Sequence, residues 1–146
     1  MADDPLAPFD PIFQAAGQEW NVDPLLLRAI AMQESSGNPR LVSKAGAQGL
    51  MQIIPSTQKT LGVADPFDPV ESIWGAAKYM DEALGREKTA EDALRYYHGG
   101  PGWRQNYGPE SRGYVPNVGK YYKQYIDAQQ AAQTAQPTQV AARDKE

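Results

Sequence analysis

The chain contains no cysteine and only one histidine, His98, in 146 residues. Without cysteine there are no disulfide staples and no thiolate metal sites, and the redox compartment cannot be inferred. A lone histidine cannot build a His-rich metal centre or a pair of imidazole ligands. No stretch reaches the roughly eighteen apolar residues that a membrane span needs. The N-terminus, MADDPLAPFDP, has neither a basic n-region nor an apolar core, and it does not read as a secretory signal. No internal repeat is present, which sets aside solenoids and propellers. Positive charge is in the minority, 14 Lys and Arg against 18 Asp and Glu, and the net charge of -4 argues against a nucleic-acid partner. The expectation is therefore no metal, no cofactor, no nucleic acid and no membrane.

What remains is 41% hydrophobic and 22% charged, the composition of one globular domain with one core. The charge is unevenly spread. Pro24 to Gly62 carries Arg28, Arg40, Lys44 and Lys59 against Glu34 alone, and Arg95 to Ile126 carries five cations against Glu110 alone. A basic surround of this kind suits an anionic substrate; an ordinary solvated surface explains it equally well.

Three Asp-Pro pairs, Asp10-Pro11, Asp23-Pro24 and Asp68-Pro69, read as helix starts with Asp as N-cap and Pro in the first turn. The helices they open are expected to end near Trp20, near Glu34, and at Leu84 before Gly85. Thr89 caps a shorter helix ending near Tyr97, and Pro55 opens one ending at Gly62. A last helix is expected from Tyr114–Pro116 to beyond Ile126. Gly46 to Ile54, with two glycines and a β-branched pair, is the least helical part and allows short strands or an extended loop. The fold class is thus mainly α with a small non-helical or short β insert at residues 46–54. Residues 1–9 read as a flexible lead-in and 10–126 as the domain. Residues 127–146 read as an Ala/Gln-rich linker, as at the edge of a domain within a longer protein.

The most informative stretch is MQESSGNP, Met32 to Pro39. It follows an apolar run, and helical spacing puts Glu34 on one face with Leu27, Ile30 and Ala31. Apolar neighbours disfavour the charged carboxylate, and so does the negative end of the helix dipole. Both favour a carboxyl that keeps its proton near neutral pH, as a general acid must. A solvated Glu at a helix end is the plain alternative.

Three other stretches share the chain with it: GLMQIIP at Gly49 to Pro55, YYHGGPGW at Tyr96 to Trp103 and ESRGYV at Glu110 to Val115. Each is weak alone; in this order and spacing the chain resembles the soluble lytic transglycosylase family, a branch of the lysozyme-like superfamily, over roughly residues 10–126. The resemblance implies an α+β lysozyme-like fold and cleavage of the glycan strands of peptidoglycan. It implies that Glu34 is the sole acid/base. Glu34 would protonate the oxygen bridging N-acetylmuramic acid and N-acetylglucosamine, with the muramic N-acetyl group stabilising the anomeric carbon. The carboxylate would then take the proton of that sugar's own 6-hydroxyl, closing a 1,6-anhydro ring without water. Such substrate assistance removes the need for the second carboxylate of most glycosidases.

By the same resemblance Ser43, Gln52 and Glu110 are polar contacts to the sugars, Met51 lines the pocket, and Tyr97 belongs to the AYNAGPG-like motif. Tyr114 orients Glu34 by a hydrogen bond. Plain packing roles compete for each: loop serine, strand-face glutamine, core methionine, surface helix-start glutamate, buried tyrosines. The chain departs from the family at His98, where Asn is usual, at Gly99, where Ala is usual, and at Ser72, where Asn is common. A neutral imidazole can donate and accept as an amide does, with different geometry, and it adds a titration of its own. Ser72 reads as a packing variation.

Seven of the eight tyrosines lie from Tyr96 onward, and Tyr121, Tyr122 and Tyr125 have the mixed spacing of core contacts rather than of a sugar platform. The competing functions are a goose-type-lysozyme-like hydrolase and an inactive wall-binding or virion module. The chain resembles wall-degrading domains that phages carry in larger virion proteins, with a bacterial secretion-system or housekeeping enzyme as the alternative; either acts on the bacterial cell wall.

Overall fold

The computed structural model describes residues 4–135. It consists of a 3-10 turn, Ala7–Phe9, and six helices: α1 Asp10–Trp20, α2 Pro24–Ser35, α3 Pro55–Leu61, α4 Pro69–Arg86, α5 Ala90–Gly99 and α6 Pro109–Thr134. Two of the three Asp-Pro starts form as the sequence dictates. Asp23 accepts from Leu25 N–H and Asp68 from Val70 N–H, at 2.9 and 3.0 Å, each with Pro in the first turn. Thr89 likewise accepts from Asp92 N–H. Asp10 is different. It is the first residue inside α1, Phe9 holds the cap position without a side-chain bond, and the Asp10 carboxylate turns instead to Arg28.

α2 is the central helix. Leu27, Arg28, Ala29, Ile30 and Ala31 are buried in succession, so the helix is enclosed on all sides rather than along one stripe. α6 and α1 pack against it, α4 spans α1 and α5, and α5 closes onto α6. Phe13, Leu27, Ile30, Leu50, Met51, Ile73, Met80 and Val118 form the centre of the core. Small residues, Ala29, Ala31, Ala76, Ala77, Ala83 and Ala93, let the helices approach.

The 36–54 connection carries two antiparallel bridges, Val42 to Gln48 and Gln48 to Ile53, and no longer strand. Gly49 is needed at its centre. Its φ is +82°, and a β-carbon there would lie 1.9 Å from the Pro66 carbonyl oxygen.

Several boundaries differ from the sequence reading. α4 runs through Gly85 to Arg86 instead of stopping at Leu84. α5 continues through His98 and Gly99, so His98 sits in a helix's last turn. α6 begins at Pro109, five residues before the expected start, and Pro116 lies inside it. Glu110 and Tyr114 therefore share one helix face, four residues apart. At the N-terminus, residues 4–9 pack against the helices instead of trailing free: Leu6 is fully buried, and Arg28 pairs with Asp4 as well as Asp10. At the other end α6 runs on through the start of the expected linker. The rest of that linker, 136–146, lies outside the described residues.

Candidate active site

The C-terminal ends of α2 and α5, the first turns of α6 and the 36–54 connection meet around one groove of about 680 Å³. Glu34, Ser43, Gln52, Tyr97, His98, Glu110 and Tyr114 all line it, although they come from four separate parts of the chain. Glu34 stands in the last turn of α2, where Ser36 leaves the helix in the left-handed conformation, φ +54°. Burial pushes its carboxyl up to about 7, and the hydrogen bond from Tyr114 pulls the other way without winning. That bond runs from the Tyr114 hydroxyl to Glu34 Oε2 at 2.9 Å. Burial and the neighbouring Glu34 charge hold the Tyr97 and Tyr114 phenols well above the usual range, so both remain donors.

The connection that forms the groove's floor is held by side chains. Gln52 has a left-handed backbone, φ +54°, which a non-glycine residue adopts only when its surroundings enforce it. Its amide nitrogen donates to the carbonyls of Leu41 and Gly49, at 2.9 and 2.8 Å. This leaves the amide oxygen as the acceptor that Gln52, a lining residue of the groove, can offer. Ser43 Oγ accepts from Ala47 N–H, keeping its own proton to donate.

Met51 does not line the groove. Its side chain is fully buried, while its backbone is clamped on both sides: N–H donates to Ser72 Oγ at 3.2 Å and the carbonyl accepts from the Tyr97 hydroxyl at 3.0 Å. Ser72, which the sequence suggested was a packing variation, is thus a fully buried acceptor that fixes the residue before Gln52. Tyr97 has two functions, a ring on the groove wall and a hydroxyl on the floor. His98 stacks on Tyr114, ring centroids 4.3 Å apart and planes 21° apart. Burial lowers its pKa and Glu110 opposes that shift.

The expected basic surround is partly neutralised in three dimensions. Arg28 is buried with Asp4 and Asp10 beneath the Tyr125 ring. Arg95 pairs with Asp92, Arg104 with Glu87, and Lys123 with Asp127. The partner acids all lie outside the two basic segments, Asp92 and Asp127 just beyond their ends and Asp4, Asp10 and Glu87 further off, so segment-by-segment charge counting does not register the pairing. Lys44 is the cation that lines the groove.

Sequence reasoning also missed Gln33, Leu41 and Ile54 on the groove wall. Ile54 is 44% exposed, and its place before Pro55 at a helix start was the available signal. A second hollow of about 310 Å³ adjoins the groove and shares Gln52, Ile54, Tyr97 and His98 with it, extending the cleft towards Tyr79 and Gly100. Tyr122 and Tyr125 serve structure: Tyr122 donates to Asp23 at 2.6 Å and Tyr125 stacks against Arg28. No cluster of metal-binding side chains exists among the described residues, nor any helix long and apolar enough to cross a membrane.

Comparison with known proteins bears on this geometry. Residues 11–114 match the family model described as the transglycosylase SLT domain. The chain is 42% identical over 106 residues to a transglycosylase of Enterobacteria phage PRD1, covering 73% of this chain and 40% of that protein. It is 35% identical over 125 residues to membrane-bound lytic murein transglycosylase F 1 of Alkalilimnicola ehrlichii, covering 78% of this chain and 25% of that one. Among solved structures it is similar to the 70-kDa soluble lytic transglycosylase of Escherichia coli, with a TM-score of 0.70 and 27% identity over 84% of this chain and 25% of that chain. The chain therefore spans two fifths or less of the length of these relatives.

Proposed function

The chain belongs to the transglycosylase SLT domain family, and we propose on that footing that it is a peptidoglycan lytic transglycosylase. It cleaves the β-1,4 bond between N-acetylmuramic acid and N-acetylglucosamine and leaves 1,6-anhydro ends. The observation that carries the reading is Glu34, a carboxyl raised to about 7 in a groove wall and hydrogen-bonded by one phenol. A group that ionises near neutrality can both deliver and recover a proton in one cycle.

In the first half-reaction protonated Glu34 gives its proton to the bridging oxygen as the glycosidic bond breaks. The substrate's own N-acetyl group supports the positive charge at the anomeric carbon. The Tyr114 hydroxyl then stabilises the new carboxylate, which is the charged form that a donated hydrogen bond favours. In the second half-reaction that carboxylate takes the 6-hydroxyl proton, and the alkoxide oxygen bonds to the anomeric carbon. Protons balance, and no water enters. Ser43, Gln52, Tyr97, His98 and Glu110 bind the sugars along the cleft, with Glu110 as a binding group rather than a nucleophile. The continuity of the groove with the adjoining hollow supports a polymeric substrate lying across both. The domain works on the bacterial wall as part of a larger protein, of virion or bacterial origin.

Digestion of purified peptidoglycan followed by mass spectrometry tests this directly. The expected fragments carry anhydro ends and are lighter by one water than hydrolysis products. Reducing ends would instead establish a hydrolase, and undiminished lysis by Glu34→Gln would remove Glu34 from the chemistry.

A further inference from the structure

Three helix ends meet at Tyr114: the last turn of α2 with Glu34, the last turn of α5 with His98, and the second turn of α6 with Tyr114 itself. Tyr114 is only 2% exposed, whereas His98 is exposed, and the two rings stack at 4.3 Å. The imidazole therefore lies on the solvent side of the phenol and covers it. The phenol in turn reaches inward to Glu34 Oε2 at 2.9 Å. We propose, on the basis of the acid/base reading of Glu34, that His98 is a positioning residue whose imidazole, stacked on Tyr114, holds the phenol in the orientation that keeps its hydroxyl on Glu34.

The physical reason lies in the shape of the side chain. A planar ring stacked on a phenol restrains its tilt across the whole face, while the Asn usual at this position in the family has no ring to do so. The groups that line the groove with His98 are Glu34, Lys44, Tyr97, Glu110 and Tyr114. Of these Glu110 favours the imidazolium, and the partial desolvation of an imidazole with one face packed on Tyr114 opposes it with the larger effect. The lowered pKa favours the uncharged imidazole, which acts through its ring. The departure from Asn is therefore a change in how the acid/base is held as well as in what the groove offers a sugar.

The test compares His98→Ala with His98→Phe, which keeps an aromatic ring and removes charge and hydrogen bonding. In His98→Ala, kcat is expected to fall roughly three- to tenfold, the factor an aromatic pair of this kind is worth. KM changes less. The looser Tyr114 bond no longer pulls the Glu34 pKa down, so the basic limb of the kcat profile moves to higher pH. His98→Phe is expected to restore most of kcat and to return the limb. A rise in KM in both variants, with kcat and the limb unmoved, would make His98 a substrate contact alone and overturn the proposal. NMR titration of Glu34 without substrate keeps the two readings separate. An unmoved titration in His98→Ala overturns the coupling whatever Glu34→Gln does; an active Glu34→Gln overturns the acid/base assignment whatever the titration shows.

Discussion

The Tyr114 hydroxyl donates to Glu34 Oε2 at 2.9 Å across a separation of 80 residues. The pair opposes two forces on one carboxyl. Burial favours the protonated acid, the phenol favours the carboxylate, and the balance leaves Glu34 at about 7. A proton donor that must become an acceptor within one cycle is served by this balance better than by either force alone.

Tyr114→Phe removes the hydroxyl and keeps the ring. With only burial acting, the Glu34 pKa rises further, and the basic limb of the kcat profile moves to higher pH. The carboxylate formed in the first half-reaction loses its stabilising donor, so kcat falls on the order of tenfold or more. A pH–rate series on wild type and variant measures both effects.

Glu34 links stability to pH. Its pKa is 4.5 when unfolded and about 7 when folded, so the folded state binds the proton more tightly. Its contribution is fully present below pH 4.5 and is lost as pH rises through 7, a change of about 3 kcal/mol. Glu34→Gln has no such proton to lose. Urea unfolding should show the variant gaining on wild type between pH 4.5 and 8, by up to that amount.

Ser72→Ala leaves the Met51 N–H buried without an acceptor, at a cost of roughly 1–3 kcal/mol. Because Met51 precedes Gln52 on the groove floor, kcat also falls under conditions where the variant remains folded. Denaturant unfolding together with muropeptide release measures the two consequences.

Gly49→Ala forces a β-carbon to within 1.9 Å of the Pro66 carbonyl oxygen in a left-handed backbone. Backbone cannot yield as a side chain can, so destabilisation of roughly 3 kcal/mol or more is expected. Thermal unfolding or the yield of folded protein reports it.

Arg28→Met removes the buried guanidinium from Asp4, Asp10 and Tyr125. Both carboxylates are about half exposed and remain solvated, which limits the loss to roughly 1–2 kcal/mol. Arg28 does not line the groove, so KM for peptidoglycan should not change in the folded variant. A raised KM would return Arg28 to the substrate surface that its neighbourhood in sequence suggested.

Local rules carried much of the architecture. Asp23-Pro24, Asp68-Pro69 and Thr89 announced their helices because capping is settled within four residues. The protonated character of Glu34 was also legible, since apolar neighbours in its own helix already imply desolvation. Asp10 was misread as a cap because its partner, Arg28, lies 18 residues away. Met51 was misplaced for a similar reason. An apolar side chain beside a groove can turn inward or outward, and Ser72 and Tyr97, holding its backbone from 21 and 46 residues away, accompany the inward turn.

The sequence by itself determined which residue types were present, which segments would be helical, and that one carboxyl would be held among apolar neighbours. Only the tertiary structure decided what surrounds that carboxyl. The early start of α6 put Glu110 and Tyr114 on one face, the two further residues of α5 put His98 over Tyr114, and acids outside the basic segments paired with four of their cations. Helix propensity and capping act over a few residues, whereas stacking, ion pairing and desolvation depend on contacts made after the chain has folded back on itself.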